Sequence, residues 1–253
     1  GPVVYTDTAS RKNGLAMHWI VNDPYEQMEV NTFRLLNRAK NYADYRNAVF
    51  NFPYPAQNFA FASVDGDIAL TTQGNMPIKS DQQGRFVLDG SKSENAWKGV
   101  LPSVLNPHTI NPERGFVSSA NQRTTDSSFP NYYNNGDFRE YRGRMINRLL
   151  SQKEKWSVED MKALHYNSYS LKAEEALPLL LTGVDSGALD DKGHVLYTQL
   201  KNWNYNYDST SQEAVYFDLW FAYFYKCLWD EILMDSTKRA IATPDDVASI
   251  RLM

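Results

Sequence analysis

The sequence predicts a mixed α+β fold in which a first half of strands and loops is followed by a helical second half. Two strand-like runs, residues 59–64 and 67–70, flank an Asp-Gly dipeptide, which is a strong short-range signal of a β-hairpin. Residues 74–137 are rich in Gly, Pro, Asn and Ser, which favours strands and long loops over helices. From Phe138 onward the apolar residues recur at helical spacing.

Three further elements are predicted before the hairpin. The opening run, Gly-Pro-Val-Val-Tyr, is apolar and strand-like. Residues 23–26, Asp-Pro-Tyr-Glu, resemble a capped helix start, and apolar residues at helical spacing continue this helix to Ala39. A second short helix around Tyr45 is expected to end before Pro53, because proline cannot continue a helix.

Helices dominate the predictions for the second half. Four are expected: residues 138–151, a helix that begins at 157–160, residues 171–182, and the longest one, from a capping box at 210–213 to about Met234. Pro178 should kink the third helix or lie near its start. A last helix begins at 243–246, Thr-Pro-Asp-Asp, with Thr at the N-cap and Pro at the first helical position.

The organisation of the chain suggests an internal piece of a longer protein. The last helix has no stop signal before Met253, and the chain opens on a strand-like run with no leader pattern. We therefore expect residues 1–253 to form a single fragment, with 1–137 as its strand- and loop-rich part and 138–253 as its helical part. The alternative is a short C-terminal helix that ends with the chain.

Composition argues against several classes of function. The 26 Lys and Arg residues against 30 Asp and Glu residues give a net charge of −4, so nothing suggests binding to nucleic acid or to an anionic membrane. Cys227 is the single cysteine, which excludes an internal disulfide and makes a zinc site improbable. The most apolar helix candidate, residues 216–234, carries four charged side chains, which argues against a membrane span.

General catalytic motifs are absent from the sequence. It has no G-x-S-x-G, P-loop, G-x-G-x-x-G, H-E-x-x-H or EF-hand pattern. Its four histidines share no ligand spacing and are interpreted as surface or packed residues. The aromatic residues of 211–234 are interpreted as packing between helices, with a carbohydrate- or acyl-binding platform as the alternative.

Four stretches nevertheless form a specific ordered set: 57–68 with 74–79, 89–91 with 97–102, 111–122, and 129–130 leading to 141–146. In this order and at this spacing they resemble the β-chain of the penicillin amidase (penicillin acylase) family. The opening Gly-Pro-Val-Val also resembles that family's His-Gly-Pro-Val-Val. The resemblance covers about residues 1–230.

The resemblance implies an N-terminal-nucleophile hydrolase, and thus part of an αββα sandwich. Family members are made as one precursor, a zymogen that cleaves itself, and the freed first residue of the β-chain, usually Ser, attacks a linear amide. Its own α-amino group can act as the base. The resemblance places that residue upstream of Gly1, so this chain by itself would lack the nucleophile and be inactive.

Three residues acquire roles through the resemblance. Asn121 matches the family's Asn, whose side-chain amide donates a hydrogen bond to the tetrahedral oxyanion; the alternative is a turn residue that bonds its own backbone. Arg142 matches an arginine that helps to hold this Asn and the nucleophile region; the alternative is a solvated arginine on a helix face. Gln122 is a candidate supporting residue beside Asn121, and Arg144 is interpreted as structural.

The family commonly binds calcium, so Ca²⁺ is an expected cofactor of the intact enzyme. Two departures leave it unassured here, and no metal ligand is assigned in this chain. The positions after Phe129-Pro130 hold Asn131, Tyr132 and Tyr133 instead of an acid, and Gly84 stands where the family has a carbonyl-donating Pro. Calcium needs hard oxygen ligands, and the sequence does not mark them.

The expected partners are a small N-acyl amide substrate, the α-chain and the rest of the β-chain. Penicillins and acyl-homoserine lactones are both open as substrates, and the resemblance implies a periplasmic or secreted protein. An excised sheet would expose strand edges, so the isolated chain is expected to self-associate or to be marginally stable. The alternative function is a binding or structural protein that keeps the fold without catalysis.

Overall fold

A computed structural model of the chain describes residues 1–6, 14–23, 29–80, 83–120, 122–126, 128–131, 140–235, 237 and 242–253. The described residues contain both α-helices and β-sheets, so the predicted α+β class is confirmed. The chain divides into two compact units. The first comprises Gly1–Gly143 with Leu150–Glu154, and the second comprises Arg144–Leu149 with Lys155–Met253.

Short antiparallel strands build the first unit. The described strands are β1 (Val3–Thr6), β2 (Gly14–Ala16), β3 (Gln57–Ala62), β4 (Ile68–Gln73), β5 (Met76–Pro77), β6 (Val100–Leu101) and β7 (His108–Ile110). β1 pairs with β2, β5 pairs with β6, and the order β3-β4-β7 forms a three-stranded sheet. The β3–β4 pair is the predicted hairpin, and Gly66 in its turn has a φ of 97°, which glycine adopts without strain.

Two helices precede this sheet: α1 (Glu29–Leu36) and α2 (Tyr42–Val49). The side chain of Asn41 caps α2 by accepting a hydrogen bond from the backbone of Asp44. The core of the unit forms where α2 meets the sheet, because Tyr45, Val49 and Ala69 are buried together. The Tyr45 hydroxyl donates to the Phe59 carbonyl at 2.8 Å, which fastens α2 to β3.

The first predicted helix differs from the structure at its end. Its predicted start, residues 24–28 included, lies outside the described residues. α1 ends at Leu36, whereas the sequence analysis continued this helix to Ala39. The backbone N–H of Ala39 bonds to the carbonyl of Leu36, so a tight three-residue turn closes the helix.

Helices account for the second half of the chain, as predicted. They are α3 (Tyr141–Leu150), α4 (Val158–His165), α5 (Leu171–Thr182), α6 (Asp191–Lys201), α7 (Gln212–Leu228), α8 (Asp230–Leu233) and α9 (Asp246–Arg251). The capping box at Ser157 and Asp160 starts α4 as expected. Pro178 lies in the interior of α5 and not near its start.

One helix was missed, because α6 has no clear apolar periodicity and contains Gly193. The side chain of Asp190 stabilises its start by accepting from the Gly193 backbone at 2.8 Å. The predicted longest helix is interrupted at Trp229, which has φ −119° and ψ 27°, so α7 and α8 are separate elements.

Two predicted caps are also wrong by one or two residues. Ser211 caps α7, so Glu213 stands one position too early to complete a capping box. Asp245 caps α9 by accepting from the Ala248 backbone. Thr243, the predicted cap, instead pairs its hydroxyl with that of Tyr225 at 2.6 Å, a contact between distant residues that no local signal shows.

Aromatic packing joins the helices of the second unit on one face of α7. Phe217 and Phe221 are buried, and the ring of Trp203 lies 5.9 Å from that of Phe217. The packing interpretation is therefore confirmed for this face. Val215 and Leu219 lie on another face and are exposed. In the described part of the chain, no helix combines the length and apolar character that a bilayer crossing requires.

The three-stranded sheet suggests a test of the expected self-association. No described strand pairs with the outer edge of β3 or of β7, and such edges favour pairing with a second copy. We expect the mass of the purified 253-residue chain to rise with concentration in light scattering. Ala60→Lys on β3 should reduce this rise, because charged edge residues oppose strand pairing, whereas Ala188→Lys at an exposed helical turn should not.

A monomeric profile at every concentration, together with a sharp and high thermal midpoint in calorimetry, would contradict the expected self-association and marginal stability.

Candidate active site

The segment around Asn121 is the place where the sequence analysis expects catalysis. Asn121 itself lies outside the described residues, so the site is built from its neighbours. The side chain of Gln122 folds back along the chain: its Oε1 accepts from the Ala120 backbone at 2.5 Å, and its Nε2 donates to the Ser118 carbonyl at 3.2 Å. Gln122 thus stabilises a local turn of the segment that leads into Asn121.

The first turn of α3 packs closely on Gln122. A Cβ built on Gly143 would lie 3.1 Å from the Cβ of Gln122 and 3.2 Å from its Oε1. Both distances are shorter than most contacts of real side chains, so glycine permits this approach. Because Gln122 makes two hydrogen bonds, it has little freedom to move away from a larger residue.

A second set of hydrogen bonds joins the same segment to the sheet. The Nδ2 of Asn58 on β3 donates to the Ser119 hydroxyl at 2.7 Å, and the Thr72 hydroxyl on β4 donates to the Oδ1 of Asn58 at 2.6 Å. The sequence analysis gave no role to Asn58 or Ser119. A signal was present, since Asn is disfavoured in strands and yet stands here in a run of Phe and Ala.

Arg142 lies on α3 beside Gly143, and its side chain is exposed. Within the described residues, no hydrogen bond or ion pair joins the side chain of Arg142 to another residue. Arg144 and Arg148 differ, because they pair with Glu175 and Glu174. Two hydrogen bonds from Arg148 hold the pKa of the Glu174 carboxyl below its ordinary value. The interpretation of Arg144 as structural accords with its ion pair.

A cavity of about 400 Å³ lies along the residues that follow Asn121. Its lining includes Thr72 and Leu70 of β4, His108 of β7, and Phe129. The Nδ1 of His108 is 2.9 Å from the Asn106 carbonyl. A carbonyl only accepts, so Nδ1 is the donor in this bond. The cavity thus combines apolar surface with hydroxyl and imidazole groups, which suits a small polar organic molecule.

A second cavity, of about 460 Å³, contains two positions that the sequence analysis considered for calcium. Gly84 and Asn131, two positions tied to calcium by the resemblance, both line it; Tyr132 and Tyr133 lie outside the described residues. Its other lining residues include Lys79 and Trp97, and none of the lining residues carries a carboxylate. Partial burial lowers the pKa of the Lys79 ammonium.

These groups do not fit calcium, which requires several hard oxygen ligands. Among the described residues, no group of three His, Cys, Asp or Glu side chains is arranged to hold a metal ion. The ring of His18 is exposed and stacks on Trp97 at 3.7 Å between centroids, which accords with its interpretation as a surface or packed residue.

A solved structure has a similar fold. A solved structure of the thermostable penicillin G acylase from Alcaligenes faecalis matches 86% of this chain and 42% of its own chain, with a TM-score of 0.65 and 17% sequence identity. This likeness shows that the chain shares the mixed α+β fold of that protein.

The family follows from the sequence match. The family model described as penicillin amidase matches residues 1–250, and the chain therefore belongs to the penicillin amidase family. The penicillin acylase 2 proenzyme of Pseudomonas sp. (strain SE83) is 26% identical over 113 residues, which are 45% of this chain and 15% of that protein.

Acyl-homoserine lactone acylases named QuiP are also similar. The protein of Pseudomonas syringae pv. tomato is 26% identical over 117 residues, which are 46% of this chain and 14% of that protein. The protein of Pseudomonas aeruginosa is 22% identical over 182 residues, which are 68% of this chain and 21% of that protein. The matched part of this chain thus spans between 14% and 21% of the length of these relatives.

The close packing of α3 on Gln122 generates a stability prediction. An alanine in a helix interior is normally favoured over glycine by about 1 kcal/mol. We expect Gly143→Ala to lower the thermal midpoint of the chain, because the new methyl group displaces the bonded Gln122. In a Gln122→Gly background, which removes the contacting atoms, the same change should raise the midpoint.

Thermal unfolding followed by circular dichroism on the four proteins of this cycle measures both effects. An equal change in the two backgrounds would contradict the packing argument.

Proposed function

We propose that this chain is part of a penicillin amidase-type hydrolase that cleaves linear amides with an N-terminal Ser encoded upstream of residue 1. The family match across residues 1–250 carries the proposal. The greater length of the relatives supports a nucleophile and an α-chain outside this sequence. In the proposed reaction, the Ser hydroxyl attacks the amide carbonyl while its α-amino group accepts the proton. The α-ammonium group returns this proton to the amine, which leaves as the C–N bond breaks, and water then hydrolyses the acyl ester.

Asn121 is proposed as a donor to the oxyanion that forms during attack. A donor for this charge must be in place before the reaction, because its benefit depends on not having to reorganise. The bonds that hold Ser118, Ala120 and Gln122 support the proposal, since they order the residues next to Asn121 in the chain. Gln122 is accordingly proposed as a supporting residue.

Arg142 is proposed to support the active site of the intact enzyme. Its guanidinium is exposed and makes no bond to another described residue, so it is available to groups outside this chain. A guanidinium presents five donors, which suits the fixing of carbonyl or amide groups around a reaction centre. The α-chain and the rest of the β-chain are the proposed sources of such groups.

The substrate is proposed to be a small N-acyl amide. The names of the relatives support two candidate kinds, penicillins and acyl-homoserine lactones, and the acyl group stays open. A periplasmic location is proposed for the intact protein. Calcium is kept as a proposal only for ligands that lie outside the described residues, because the described cavity at Gly84 and Asn131 does not suit it.

One observation separates this enzyme from a binding protein that keeps the fold. The test is to read the residue at the β-chain start in the full-length gene. Ser, Thr or Cys there supports the hydrolase, whereas any other residue supports the binding protein.

The proposal predicts that the purified 253-residue chain has no amidase activity. The physical reason is that it holds the proposed oxyanion donor but not the nucleophile. The measurement is release of the chromophore from a phenylacetyl amide, with the full-length enzyme as positive control and a mock purification as background. Turnover by the chain above the mock preparation would contradict the proposal.

The role of Asn121 predicts a second result, in the full-length enzyme. Asn121→Ala should lower kcat by about 10²–10³-fold, the usual effect of losing one oxyanion donor, with a smaller change in substrate binding. Asn121→Asp should be at least as damaging, because its carboxylate repels the developing charge. Both variants should keep a thermal midpoint close to that of the wild type.

If Asn121 were a structural turn residue, the pattern would reverse: the midpoint would fall and kcat per folded molecule would stay near its wild-type value. Measuring kcat and the midpoint on the same preparations distinguishes the two cases.

A further inference from the structure

We propose that Asn58 is a positioning residue, which fixes the segment of the oxyanion donor to the central strand of the sheet. The inference rests on the proposed function of Asn121 and extends it to a residue on another element. Asn58 lies on β3, whereas Ser119, its hydrogen-bond partner, stands two positions before Asn121.

The chemistry of the two bonds fixes the orientation of the Asn58 amide. The Thr72 hydroxyl donates to Oδ1, so Nδ2 is left to face the Ser119 hydroxyl, to which it donates at 2.7 Å. Asn58 and Thr72 are direct cross-strand partners in the β3–β4 register. Their side chains therefore stand on the same face of the sheet, and the bond between them follows from the register.

We call the hydrogen-bonded series Thr72–Asn58–Ser119 the relay, and Thr72 is its most firmly held member. It is 4% exposed, and its backbone N–H donates to the Pro107 carbonyl at 2.9 Å. The next residue, Gln73, is fully buried and bonds to the Phe52 carbonyl and the Ser103 hydroxyl. Asn58 and Ser119 are thus attached to a part of the sheet that hydrogen bonds hold on several sides.

The relay and Gln122 act on opposite sides of position 121. Ser119 is held from the sheet, Ala120 is 5% exposed and donates to Gln122, and Gln122 packs on Gly143. The described residues on either side of Asn121 are therefore restrained by two separate elements. Electrostatic stabilisation of an oxyanion depends on such restraint, since a donor displaced by a fraction of an ångström loses much of its effect.

The exposure of Asn58 and Ser119 limits how much the loss of their hydrogen bond can lower kcat. Asn58 and Ser119 are both exposed in this chain, so water can replace part of their hydrogen bond. In the full-length enzyme, we expect Asn58→Ala to lower kcat by about three- to tenfold, the worth of one hydrogen bond, with little change in KM. Ser119→Ala should have a similar effect, and Ser119→Thr, which keeps the hydroxyl, should restore most of the rate.

A double-mutant cycle separates positioning from a general effect on the sheet. If Asn58 acts through Ser119, the double variant Asn58→Ala with Ser119→Ala should lose no more activity than either single variant. Asn51→Ala is the matched control, because among the described residues the Asn51 side chain bonds only to the backbone of its own helix end, at Asn47 and Ala48. It should leave kcat unchanged.

A readout that does not depend on activity uses the 253-residue chain itself. Hydrogen exchange at the Ala120 amide reports on the order of the segment, and it should become about three- to tenfold faster in Asn58→Ala and Ser119→Ala but not in Asn51→Ala. Unchanged exchange in both variants would overturn the inference, as would additive losses of kcat in the cycle.

The outcomes also distinguish the inference from the function on which it rests. If Asn121→Ala leaves kcat unchanged, the proposed donor fails, and the role of Asn58 as its positioning residue fails with it. If Asn121→Ala reduces kcat as expected while Asn58→Ala changes neither kcat nor exchange, the positioning role alone is wrong.

Discussion

Two buried amide side chains, those of Gln73 and Asn106, set a constraint on which the first unit depends. Both are fully buried, and an unpaired amide at such a place would cost about 1–3 kcal/mol. The Nδ2 of Asn106 donates to the Oε1 of Gln73 and to the Gly74 carbonyl, while the Nε2 of Gln73 donates to the Phe52 carbonyl and the Ser103 hydroxyl. These bonds tie the end of β4 to the segment after α2 and to the turn before β7.

The candidate active site uses the rigidity that this constraint creates. β4 is the central strand of its sheet, so its polar residues have fixed neighbours on both sides. Thr72 donates a hydrogen bond to Asn58, which in turn donates to Ser119 in the loop segment. On the other side, the packing of Gln122 on Gly143 of α3 restrains the same segment. A loop held in this way by a rigid scaffold can present a polar group in a defined place. The proposed chemistry needs this arrangement, because the hydrogen-bond donor must already be in position when the negative charge of the oxyanion forms.

The second unit is stabilised by different interactions. Its core is aromatic, and a charged side chain makes a cation–π contact with one of the rings. The ammonium of Lys172 on α5 lies 3.9 Å from the centroid of Phe221 on α7 and 3.7 Å from the buried carboxylate of Asp246 on α9. Three helices thus meet around one cation, which offsets the cost of burying Asp246. The ion pairs of Arg144 and Arg148 similarly join α3 to α5.

The sequence by itself determined the elements whose signals are local. The Asp-Gly turn predicted the β3–β4 hairpin, residues 157–160 predicted the start of α4, and the ordered motifs identified the family. It missed α6, whose start depends on one cap at Asp190, and it placed the caps of α7 and α9 wrongly. Only the tertiary structure decided that Thr243 bonds Tyr225 and that Asn58 bonds Ser119, 61 positions away. The reason is physical: helix caps and tight turns satisfy their backbone groups within a few residues, whereas the partner of a strand side chain is chosen by how distant segments pack.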